Sequence, residues 1–225
     1  MTDAEIGKFY AEREAAEKAD KLERYKRLNK SVKPGQILFV GSSLMEQFPI
    51  LELLEGERLP LCVYNRGIGG YTTRELRAAL QTCVFDLAPK YIFINIGTND
   101  LNGPDYAEGA LMARYEDILR AILERLPDVK LFLLAYYPTC PEVGNRNPYI
   151  RGLFQYRTNE RIASANRAVR ALAGKIGAEF LDFNSCITDE RGNMRADITV
   201  EGMHMYADGY KPILEALLPL LRTLQ

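Results

Sequence analysis

The chain has 225 residues, nearly half of them apolar, enough for one sizeable core. Its 29 basic and 30 acidic residues nearly cancel, to a net charge of −1, and no block of like charge suits nucleic acid or an anionic membrane. No apolar run approaches the roughly 20 residues of a membrane-spanning helix, and four scattered cysteines without a CxxC pair argue against a zinc site and for reduced thiols.

The N-terminus, MTDAEIGKFYAEREAAEKAD, is densely charged and lacks an apolar stretch, so a cytoplasmic location is expected rather than secretion. Residues 2–30 read as one helix, opened by a capping box of Thr2 and Glu5. Its apolar stripe is patchy: Ile6, Phe9 and Tyr10, then Leu22, Tyr25 and Leu28. A helix lying on the body of the domain is expected, with a homodimer contact as the sharper alternative. We therefore divide the chain into an N-terminal helical extension, 1–35, and one domain, 36–225.

After KPGQ the pattern changes. Short apolar bursts at 37–40, 61–64, 91–96, 131–136 and 178–183 alternate with helical patterns at about 44–54, 73–82, 105–125, 159–174 and 207–222. Near-continuous apolar bursts are the mark of strands covered on both faces, and their alternation with helices implies a parallel sheet with right-handed crossovers. The segment 136–158 reads as one long irregular loop, a length usually reserved for function or mobility.

Ligands of an open parallel sheet bind beyond the C-terminal ends of its strands, so those ends are where chemistry is expected. The first strand runs into GSSLMEQF, where Ser42 and Ser43 could cap a helix or, at its N-terminus, serve an attacked carbonyl. The second runs into NRGIGGYTTREL, a turn of three glycines whose N–H groups can approach a substrate. Thr72 stands where a dinucleotide fingerprint needs its third glycine, and no GK[ST] follows, so neither nucleotide loop is present. The third runs into IGTNDLNGP, which offers the Asn99 amide as a donor. The only histidine, His204, lies three residues after Glu201 in VEGMHMYADGY, just before the last helix. A nucleophile, a base, an orienting acid and several oxyanion donors are the parts of acyl transfer.

The blocks FVGSSLMEQF, NRGIGGYTTREL, IGTND and VEGMH, in that order, resemble the GDSL, or SGNH, hydrolase family over residues from about 36 to 222. NxGIGGxTT is most similar to the branch containing the catalytic subunits of intracellular platelet-activating-factor acetylhydrolase. The resemblance implies a flavodoxin-like three-layer α/β/α sandwich around a five-stranded parallel sheet. It implies Ser43 as nucleophile and His204 as base, with Ser43 N–H, Gly70 N–H and the Asn99 amide as the oxyanion hole. Two departures stand out: the family's GDS reads Gly41-Ser42-Ser43, and its DxxH reads Glu201-Gly202-Met203-His204. Glu201 is the expected acid, with Asp197 or a backbone carbonyl as runners-up.

The expected function is hydrolysis of small acyl esters, short-chain or acetyl, including acetylated carbohydrate, with no metal or other cofactor. A non-catalytic flavodoxin-like binding protein with a decayed triad is the alternative. Tyr137, Tyr149 and Tyr156, in the 136–158 loop, are candidates for the substrate pocket wall.

Overall fold

The computed structural model describes residues 2–224. Five parallel strands, β1 (Ile37–Gly41), β2 (Val63–Gly67), β3 (Tyr91–Asn95), β4 (Lys130–Leu134) and β5 (Glu179–Leu181), form one sheet in the order β2-β1-β3-β4-β5. The helices are α1 (Asp3–Leu28), α2 (Ser43–Glu46), α3 (Ile50–Glu57), α4 (Thr73–Cys83), α5 (Glu108–Arg125), α6 (Pro141–Gly144), α7 (Asn159–Ile176) and α8 (Ala207–Leu221). The chain leaves β1 toward β2 on one side and returns to β3 on the other. That reversal opens a crevice at the C-terminal ends of β1 and β3, where this topology binds ligands.

Alternation along the strands divides the core. Leu38, Val40, Ile92 and Ile94 face a layer that includes Leu76 and Leu80 of α4, Ile118 and Ile122 of α5, and Val169 of α7. Ile37, Phe39, Phe93 and Phe132 face the layer that includes Leu44, Ile50 and Leu54 of α2 and α3, and Ile213, Leu214 and Leu217 of α8. The register sets Phe39 beside Phe93 and Phe93 beside Phe132, and the three rings stack with centroids 4.7 and 4.6 Å apart. Such offset stacking adds to their burial and stiffens the centre of the sheet.

Several boundaries differ from the sequence reading. The pattern at 44–54 is two helices: Pro49 disfavours helical backbone at Phe48 and α3 restarts at Ile50. The second strand lies at Val63–Gly67 rather than 61–64, and carries the polar Asn65 and Arg66. Asn65 ties the strand to α2, its amide donating to the Met45 carbonyl at 2.6 Å, while its oxygen accepts from the N–H of Gly67 at the strand's own end at 2.9 Å. The fifth strand has only three residues, and α5 begins at Glu108, after the Gly103-Pro104 turn. The 136–158 segment contains α6 and a short 3₁₀ turn at Arg151–Leu153.

The two halves of α1 differ. Its capping box is formed, yet Glu5–Glu17 lie exposed, and Phe9 and Tyr10 touch each other edge-on in solvent. From Lys18 onward the helix joins the body: Tyr25 is buried in the core and its hydroxyl donates to the Gly67 carbonyl at 2.7 Å. No helix among the described residues is long and apolar enough to cross a membrane.

Candidate active site

Ser43 is the first residue of α2, directly beyond β1. Gly41, at φ 154°, makes the approach possible, since a Cβ there would overlap the Asn95 carbonyl of β3. Ser43 Oγ lies 2.8 Å from His204 Nε2, and His204 Nδ1 lies 2.5 Å from Glu201 Oε1. Residues 161 positions apart thus meet in one chain of contacts. Asp197 is elsewhere: Arg195 donates to both its oxygens, at 3.1 and 2.8 Å.

The 199–204 segment is a tight turn that fixes the three-residue spacing of Glu201 and His204. Thr199 Oγ1 accepts from Gly202 N–H at 2.9 Å and donates to the His204 carbonyl at 2.8 Å, while Val200 N–H donates to that carbonyl at 2.9 Å. Cys140 N–H reaches the Gly202 carbonyl at 2.7 Å, fastening the turn to the loop after β4. Gly202 has φ 103° and its missing Cβ leaves room for Cys140 O, Gly144 N and the Phe154 ring.

Around Ser43 the donors are disposed unequally. The Gly69 N–H is taken by Glu46 Oε2 at 2.5 Å, and Lys21 of α1 holds the other oxygen of Glu46 at 2.9 Å. Gly70, at φ 72°, follows, and neither its N–H nor that of Ser43 donates to another group among the described residues. The Asn99 amide donates one hydrogen to the Tyr71 carbonyl at 2.9 Å, which leaves its second hydrogen free. Asp100, next to Asn99, joins the turn after β3 to the start of α4, accepting from Thr73 N–H and Oγ1 at 2.9 and 2.6 Å.

What surrounds these groups is not announced by any motif. Arg157 is 6% exposed and donates to Asn99 Oδ1 and Asn102 Oδ1 at 2.8 Å each and to Met203 Sδ at 3.3 Å. Burial lowers its guanidinium to about 10, against the attraction of Glu201, so it stays charged at neutral pH. Lys18 of α1 bridges Glu14 and Glu75. Burial alone would lower the Lys18 pKa, but hydrogen bonds to Glu14 and Glu75 raise it on balance. With Lys21 it walls a cavity of about 300 Å³ that also borders Glu46, Gly69 and Gly70.

The three tyrosines do not gather. Tyr137 is buried in the core layer of α8, Tyr156 is half-buried, and Tyr149 is 94% exposed. Ser42, in place of the aspartate of GDS, is fully buried and its hydroxyl has no partner among the described residues. All four cysteines are free, and burial pushes the Cys83 thiol up to about 12. No three His, Cys, Asp or Glu side chains converge as a metal site among the described residues.

Residues 50–211 match the model of the GDSL-like lipase/acylhydrolase family, and the chain belongs to that family. It is therefore an ester hydrolase by class. It is 27% identical to the platelet-activating factor acetylhydrolase IB subunit alpha1 of Bos taurus over 195 residues, covering 85% of this chain and 77% of that one. A solved structure from Streptococcus pneumonia, described as a candidate platelet activating factor, superposes with a TM-score of 0.86 at 29% identity. That match covers 98% of this chain and all of the other. An acetylxylan esterase from Geobacillus stearothermophilus shares the fold at a TM-score of 0.59 and 22% identity, over 84% of this chain and 94% of its own.

Proposed function

We propose that the chain is a serine esterase of small acyl esters, acetyl esters foremost, acting through Ser43, His204 and Glu201. The observation that carries this reading is the contact chain from Glu201 through His204 to Ser43, at 2.5 and 2.8 Å, on the sheet edge where the topology opens. In the resting state the Ser43 hydroxyl donates to Nε2, and Nδ1–H donates to the Glu201 carboxylate. As Oγ attacks the ester carbonyl, Nε2 takes its proton and Glu201 stabilises the imidazolium. The developing oxyanion is met by Ser43 N–H, Gly70 N–H and the free Asn99 hydrogen, donors that need no reorganisation. His204 then gives the proton to the leaving alcohol. Water, deprotonated by the same imidazole, releases the acid from the acyl-enzyme.

The acyl group is proposed from the relatives. The bovine enzyme is named an acetylhydrolase and the Geobacillus protein an acetylxylan esterase, so an acetyl group is the common element. Acetylated carbohydrate is the alcohol portion we propose to test first. The test is a series of p-nitrophenyl esters of increasing chain length beside acetylated xylooligosaccharides, with a fluorophosphonate probe to report the nucleophile. Single labelling at Ser43 and the highest kcat/KM for acetyl esters are expected. Labelling that survives Ser43→Ala would overturn the nucleophile, and a preference for long acyl chains would overturn the substrate class.

A further inference from the structure

We propose that Arg157 is a positioning residue for ester hydrolysis: it locks the Asn99 amide with its free N–H turned toward the reacting carbonyl. This rests on the serine-esterase reading above. An amide side chain is nearly symmetric in shape, and its oxygen and nitrogen can exchange places at little steric cost. Here they cannot. A guanidinium is donor only, so the atom facing Arg157 Nη2 at 2.8 Å must be Oδ1. The carbonyl of Tyr71 accepts only, so the atom 2.9 Å from it must be Nδ2. The two contacts specify one orientation, and the second Nδ2 hydrogen has one direction left to it.

Charge adds to geometry. A buried cation on the amide oxygen draws electron density from the nitrogen and strengthens its remaining N–H as a donor, as hydrogen bonds in series do. The third contact links both halves of the site. Met203 lies between Glu201 and His204, and Arg157 Nη1 donates to its sulfur at 3.3 Å. The fork also holds Asn102 in the turn that carries Asn99. No carboxylate pairs directly with this guanidinium among the described residues. Burying an arginine for neutral acceptors alone is costly, and a role in packing could be met by an apolar side chain.

The experiment compares kcat and KM for p-nitrophenyl acetate in wild type, Arg157→Met, Asn99→Ala and the double variant, with circular dichroism to check folding. Asn99→Ala is expected to lower kcat by about 10²–10³. Arg157→Met should lower kcat by roughly tenfold to a hundredfold at unchanged KM, since the donor remains but its aim is lost. In the Asn99→Ala background the Arg157→Met effect should largely vanish, because there is no amide left to hold. Losses that multiply, a rise in KM at constant kcat, or normal turnover would overturn the inference. If Arg157→Met fails to fold, Arg157→Lys is judged by the same criteria, with a smaller fall in kcat expected because one ammonium replaces the planar fork. Fluorophosphonate labelling runs in parallel. A wild type whose Ser43 does not label overturns the esterase reading and this inference with it, whereas labelled protein with normal Arg157→Met turnover overturns this inference alone.

Discussion

Glu201 is the sharpest test of the site, because the resemblance calls for an aspartate at its position. The carboxylate reaches His204 Nδ1 at 2.5 Å from a turn clamped by Thr199, Cys140 and the packing around Gly202. Glu201→Asp shortens the side chain by one carbon–carbon bond, about 1.5 Å. With the turn held, the oxygen retreats to about 4 Å from Nδ1, beyond a hydrogen bond. The charge-assisted bond is worth about 1.5–3 kcal/mol, so kcat/KM should fall roughly ten- to a hundredfold. The substitution that looks most like the family should therefore be harmful. Glu201→Gln should be worse where the amide turns its NH₂ to the ring, since the proton then moves to Nε2 and the base is lost; losses of up to about 10⁴ follow from a wrong tautomer. The assay is hydrolysis of p-nitrophenyl acetate, with Asp197→Ala as the control that should be silent, because Arg195 already engages that carboxylate. If Glu201→Asp keeps wild-type kcat/KM, or Glu201→Ala does, the imidazole is oriented by something else.

Ser43→Ala should abolish hydrolysis with the fold intact, while Ser42→Ala should leave both activity and stability within about 1 kcal/mol, because its buried hydroxyl makes no hydrogen bond to lose; a dead Ser42→Ala beside an active Ser43→Ala reverses the assignment. Glu46→Ala should cost about 1 kcal/mol by removing the acceptor of the Gly69 N–H, seen as a fall in melting temperature of roughly 2–4 °C per kcal/mol, and turnover should drop as the glycine turn loosens; an unchanged melting temperature refutes the clamp. His204 is the only imidazole, so no other histidine can stand in for it, and His204→Gln should abolish hydrolysis with the fold intact. Near-normal turnover in a folded His204→Gln variant would remove His204 as the base.

What can be read from the sequence follows from the parallel sheet. Its buried strands announce themselves as apolar bursts, and its topology confines chemistry to the residues just after each burst. That rule points to the Ser42-Ser43 pair, the glycine turn and Asn99; the resemblance is what chooses Ser43 of the two serines and pairs it with the late histidine. The rule weakens where polar side chains work inside the fold. Asn65 and Arg66 hide the true extent of β2, because a polar strand residue that hydrogen-bonds a packed helix, as Asn65 does Met45 of α2, breaks the apolar burst by which a buried strand is read. Arg157 is illegible for a deeper reason. An arginine at the end of a long loop reads as solvated charge, and its burial rests on Asn99, Asn102 and Met203, brought to it from two distant segments. Local pattern carries no trace of such a meeting. The same holds for α1, whose patchy stripe describes only its packing: Lys18 and Lys21 reach the glycine turn by ion pairs with Glu75 and Glu46. Residues that do chemistry must sit where the sheet delivers them, and so can be found by position. Residues that hold them need only reach, from any part of the chain, and are found once the chain is folded.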